Sequence, residues 1–143
     1  MSVISFLISS ASSQNLGISI NNFLALGFYL ANIILIIFYL YPGSIAGCFL
    51  YDNCNIQPQI TRDFIISSNH FYTFTVISTL GISVYKNTKK MKFLISYLFM
   101  ISIILELFHL IIPNRGFEIS DLFGNIVGVI FVIIIYKVKD NYV

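Results

Sequence analysis

The chain has 143 residues, 57% of them hydrophobic and only 10% charged, with a formal net charge of +2. Soluble domains carry about a quarter charged residues, so this chain cannot cover its own surface in water and most of it needs lipid as solvent. So small a charge, with no basic stripe interleaved with aromatics, argues against a nucleic-acid partner.

In chain order, residues 3–8 are apolar but too few to cross a bilayer, and the Ser-rich SSASSQN separates them from the next apolar stretch. Residues 1–21 are therefore expected to form an N-terminal tail or an interfacial segment. No Lys or Arg precedes Arg62. A cleaved secretory signal needs a basic start, so none is expected.

Four longer apolar stretches come next, at 22–41, 67–85, 92–112 and 119–136, found with a window of about 19 residues. The first holds the uncharged run IILIIFYLY, and the second is weaker, with Ser, Thr, Asn and His scattered through it. The third is strongly apolar yet contains Glu106 and His109, and the fourth opens with Asp121 and Asn125 and ends in VIFVIIIY. Each is long enough to cross about 30 Å of hydrocarbon at about 1.5 Å per residue. The expected fold is all-α: an integral membrane four-helix bundle over residues 22–136, with a cytoplasmic tail at 137–143. No internal repeat or soluble domain is visible.

Lysines orient the bundle. Lys86, Lys89, Lys90 and Lys92 lie between the second and third stretches, and Lys137 and Lys139 come after the fourth. The positive-inside rule places both clusters, and by parity the N-terminus, in the cytoplasm. Loops 42–66 and 113–118 then face outward. Cys48 and Cys54 lie in the first of these, on the side where disulfides persist; a small bridge and two free thiols are the alternatives.

The polar residues inside the stretches carry the chemistry, because ionisable groups in a span are costly and face the bundle interior or a wet cavity. Ser102, Glu106, His109 and Pro113 share one helix face by spacing, and Asp121, Asn125 and Gly128 share another. Glu106 and Asn125 each lie about 9 Å inside the outer boundary, and the short loop between their helices makes these antiparallel neighbours. Gly124 and Gly128 form a GxxxG pair that lets another helix approach closely, expected here to bring Asn125 near Glu106. Arg115, in the loop above, is the cation nearest Glu106, Glu118 and Asp121 in sequence. His70 joins the same layer from the second stretch, with Thr73, Ile77 and Gly81 on its face.

Three roles stay open for this layer. His70, Glu106, His109, Arg115, Asp121 and Asn125 would line an outward pocket for an anionic amphiphile, with Glu106 and Asp121 orienting Arg115. Alternatively they form a polar clasp between helices. Catalysis would use Glu106 or His70 as a base and Arg115 to stabilise charge. No nucleophile motif or phosphate-cradling loop accompanies them. No metal site is expected, because the spacing of His70, His109, Cys48 and Cys54 fits no standard ligand set, and no cofactor is expected.

The segment ELFHLIIPNRGFEISDLFGNIVG, residues 106–128, resembles the VanZ-like family of small bacterial membrane proteins. Glu106, Pro113, Arg115, Asp121, Asn125 and Gly128 match the family pattern in type and spacing, while His109 stands where the family usually has Gln. His70 and Phe71 match a further His-Phe, but Ile66 and Ser67 occupy the places of an acid and a lysine. The likeness covers roughly the last half of the chain. It implies a multi-pass protein of the bacterial cytoplasmic membrane, in a family whose founding member is linked to glycopeptide resistance without an established reaction. The partners it leads us to expect are membrane lipids and an anionic lipid-linked envelope precursor.

Overall fold

A computed structural model describes residues 3–63 and 65–142, with side chains described for 19–63 and 65–141. Among the described residues there are five helices and no strand: α1 (Val3–Leu40), α2 (Ile45–Tyr51), α3 (Ser68–Tyr85), α4 (Met91–Phe108) and α5 (Ile119–Tyr142).

Among the described residues, three segments are long and apolar enough to cross a membrane: Ser19–Leu40 of α1, Met91–Phe108, and Ile119–Asn141 of α5. α3 is not among them. Part of its polarity is satisfied within the helix, since Thr73, Thr75 and Thr79 each donate to the carbonyl four residues earlier, at 2.7, 2.8 and 2.7 Å. Such back-bonding removes the cost of a hydroxyl in an apolar setting. α3 also packs against α1, α4 and α5, so little of it has to be apolar for the sake of an outside solvent.

The expected break at the Ser-rich stretch does not occur: α1 runs through it as one helix of 38 residues. Serine in a helix costs only a few tenths of a kcal/mol against Ala, and the stretch contains no proline to stop the ladder. The helix is about 57 Å long at 1.5 Å per residue, nearly twice the thickness of the hydrocarbon layer.

Loop 42–66 also holds an element the apolar pattern did not reveal. Ser44 caps α2 by accepting from the Gly47 amide at 3.0 Å, satisfying one of the helix's orphan donors. Cys48 and Cys54 form a disulfide, and the Ser44 amide donates to the Cys54 carbonyl at 2.7 Å. The second half of the loop is tied to the start of α3. Asn69 donates to the Pro58 carbonyl at 2.7 Å, and Asp63 accepts from the Ser68 amide at 2.7 Å.

Phe28, Leu35, Phe74, Ile77, Leu98, Leu105 and Val129 belong to the core. The two glycines of α5 decide how close its neighbour comes, and that neighbour is α3 rather than α4. A Cβ on Gly124 would stand 2.7 Å from the Ser67 carbonyl oxygen, and one on Gly128 would stand 2.7 Å from that of Phe71. Large apolar side chains such as Phe23, Ile33, Phe93, Met100 and Ile134 are exposed on the outside. That exterior suits acyl chains better than water.

The helices run alternately up and down. The last turn of α1, the first turns of α3 and α5 and the end of α4 meet at one end of the bundle. At the other end the Tyr29 and Tyr85 hydroxyls lie 2.7 Å apart, and the Tyr136 hydroxyl donates to the Lys86 carbonyl at 3.3 Å.

Candidate functional site

Where the four helix ends converge, the structure brings together His70, Glu106, His109, Asp121 and Asn125, with Tyr39 between them. Glu106 and Asn125 are fully buried. Asn125 reaches α4 by donating from Nδ2 to the Ser102 carbonyl at 3.1 Å. That bond fixes the amide, so its Oδ1 faces the other way and accepts from the Tyr39 hydroxyl at 2.8 Å.

The hydrogen positions can be assigned by elimination. Tyr39 gives its single hydrogen to Asn125, so His70 Nδ1, 2.9 Å from the Tyr39 oxygen and 3.0 Å from Asn125 Oδ1, faces two acceptors and carries a hydrogen. His70 Nε2 then faces Asp121 Oδ2 at 3.3 Å. The second imidazole is set the same way. His109 Nε2 lies 3.2 Å from the Tyr39 carbonyl, which can only accept, while Nδ1 lies 3.2 Å from Glu106 Oε1. One proton must therefore sit between His109 and Glu106, on the nitrogen or on the oxygen. The His109 ring also stacks on Tyr39, with centroids 5.5 Å apart and planes 18° from parallel.

Glu106 uses its two oxygens unequally. Oε1 also accepts from the Glu118 amide at 3.3 Å. Oε2 is buried without a hydrogen-bond partner, 3.8 Å from His70 Nδ1. Asp121 lies in the first turn of α5, where the helix dipole favours a carboxylate.

Arg115 does not go where the sequence reading sends it. Instead of pairing with Glu106 or Asp121, it donates from Nη2 to the Phe38 carbonyl at 2.8 Å and from Nε to the Tyr41 carbonyl at 3.4 Å. Those carbonyls belong to the end of α1, whose orphan acceptors and negative dipole end attract a cation. Partial burial lowers the guanidinium from its ordinary pKa, against the raising influence of Tyr39, Glu106 and Asp121.

Beside this cluster is a cleft of about 630 Å³ between α1, α3 and loop 42–66. Ile34, Leu35, Phe38, Val76 and Ile77 make its apolar walls, and His70, His109 and Arg115 stand at its polar end. Ile34 and Val76 are exposed, so the cleft opens on the side of the bundle. Of the six residues expected to line a pocket, these three do; Glu106, Asp121 and Asn125 stand behind the wall and hold its imidazoles.

Tyr39 is the site residue the sequence reading missed. It sits in an uncharged aromatic run, where a tyrosine reads as an interface anchor, and nothing in the run separates it from the exposed Tyr41.

No family model, curated protein or solved structure matches this chain.

Proposed function

We propose that this chain is a VanZ-like integral membrane protein of the bacterial cytoplasmic membrane, built as a four-span bundle, that binds an anionic amphiphile without transforming it. The observation that carries the reading is the cleft, whose apolar walls end at the half-buried Arg115 guanidinium. An acyl chain would lie along Ile34, Phe38 and Val76. A phosphate or carboxylate head group would take the Arg115 N–H groups left free by the two carbonyl bonds, in the forked geometry that guanidinium offers.

Several observations support four spans. α3 has 18 residues, as α4 does. It lies antiparallel to α1 and α4, with one end at Tyr39 and the other at Tyr29. Four crossings leave the lysines of 86–92 and 137–139 on one side, the cytoplasmic one by the positive-inside rule. The cluster, the disulfide and the polar end of the cleft then lie on the outward side. The ligand class is accordingly a lipid or lipid-linked envelope component of the outer leaflet.

An enzyme acting on a phosphate-containing lipid is the weaker reading. All four ring nitrogens of His70 and His109 are engaged with protein atoms, so neither imidazole is presented to a substrate as a free base. The test is native mass spectrometry of the purified chain. The wild type is expected to carry a defined anionic lipid, and Arg115→Ala to lose it while keeping its helical content. Retention of the same lipid by a folded Arg115→Ala chain contradicts the reading, and turnover of envelope lipids by the purified protein would favour the enzyme.

A further inference from the structure

Behind the cleft wall, one ring nitrogen of His70, one oxygen of Glu106 and one of Asp121 lie within 4.8 Å of one another. Each comes from a different helix, α3, α4 and α5 respectively. This explains why linear spacing gave no sign of a ligand set. We propose that these three side chains bind a divalent transition-metal ion of the zinc type.

The donor chemistry fits. Imidazole nitrogen and carboxylate oxygens are ordinary ligands of Zn2+, at about 2.0–2.2 Å. Tetrahedral donors at such bond lengths stand about 3.3 Å apart, and His70 Nε2 and Asp121 Oδ2 already stand 3.3 Å apart. Glu106 Oε2 stands 3.8 Å from the same imidazole, at Nδ1, and one oxygen of Glu106 completes the three-donor set within 4.8 Å. Three protein donors leave a fourth position for water or a ligand oxygen.

The atoms that would not touch the ion are already occupied, as they are around bound metals. His70 Nδ1 is held by Tyr39 and Asn125, which directs Nε2 toward Asp121. Glu106 Oε1 takes the Glu118 amide and His109, while Oε2 is fully buried, 3.8 Å from His70 Nδ1 and without a hydrogen-bond partner. A lone pair on His70 Nε2 facing a carboxylate oxygen needs positive charge between them. A cation there would compensate the Asp121 carboxylate in a place where unpaired charge is costly.

The test uses Zn2+ alone on the full chain in lipid nanodiscs, after stripping with a chelator. The wild type is expected to take up one ion per chain and to melt at higher temperature with it. Asp121→Asn and Glu106→Gln are expected to abolish uptake, and Asn125→Ala, which removes only an outer support, to weaken it by about 10- to 100-fold. X-ray absorption on the loaded wild type is expected to give a shell of one imidazole and carboxylate oxygens. No uptake by the wild type overturns the proposal, as does a folded Asp121→Asn chain that keeps its zinc. A sulfur-containing shell overturns it too, and neither the uptake nor the shell measurement depends on a variant folding.

Discussion

Glu106 Oε1 and His109 Nδ1 stand 3.2 Å apart, one helical turn from each other at the end of α4. His109 Nε2 is held by a carbonyl of α1 and Glu106 Oε1 by the amide of Glu118. The pair therefore ties α1, α4 and the loop that leads into α5 through a single shared proton. Buried pairs of this kind are strongly destabilising to break, because the survivor is left without a partner.

Glu106→Ala is accordingly expected to cost about 3–5 kcal/mol, leaving His109 and the Glu118 amide unpaired. Glu106→Gln, which keeps the shape and an acceptor oxygen, should cost markedly less. Thermal unfolding in a fixed detergent, monitored by circular dichroism, checks the order. Equal losses for the two variants would mean that the negative charge, and neither the shape nor a single acceptor oxygen, carries the stabilisation.

Tyr39→Phe removes the hydroxyl that donates to Asn125 but keeps the ring stacked on His109. A loss of about 0.5–1.5 kcal/mol is expected, the usual size for one hydrogen bond. Tyr41→Phe, an exposed position, serves as the control and should leave the melting temperature unchanged.

Gly124→Ala and Gly128→Ala each place a methyl group 2.7 Å from a carbonyl oxygen of the α3 segment. Backbone cannot move aside as a side-chain tip can, so each should cost about 1–3 kcal/mol. Gly27→Ala is the contrast, since nothing lies within 4 Å of the added atom; it should be neutral or slightly stabilising. Melting temperatures of the three variants separate close packing of α3 on α5 from a mere preference for small residues.

Replacing both Cys48 and Cys54 by Ser opens a loop of six-residue separation. The chain-entropy account assigns such a closure about 2 kcal/mol, and the effect should stay local to α2. Limited proteolysis is expected to cut faster between residues 45 and 60, while α1, α4 and α5 keep their protection. Unchanged cutting would show that the caps at Ser44 and the ties to α3 hold the loop without the bridge.

On the proposed lipid-binding reading, Arg115→Ala should abolish anionic-lipid binding, and it also removes the two bonds that close the end of α1. The helix-end interaction is worth about 0.3–1 kcal/mol, so stability should fall only slightly. A large fall with the lipid still bound would make Arg115 a clamp on α1 and nothing more.

Local pattern was enough for much of this molecule. The apolar runs marked α1, α4 and α5, because a helix facing lipid must be apolar over a set length. Helical spacing put Ser102, Glu106 and His109 on one face and Asp121 and Asn125 on another, because 3.6 residues per turn is a property of the backbone alone. The short loop between α4 and α5 made those faces neighbours.

Packing decided the rest. Nothing local says that the glycines of α5 meet α3, that Tyr39 rather than Tyr41 turns inward, or that Arg115 goes to the carbonyls of α1 instead of the carboxylates. Each of these depends on the rotation of one helix against another. Many weak contacts between residues far apart in the chain set that rotation, and the direction a side chain finally takes is settled by whichever unpaired donor or acceptor it meets there.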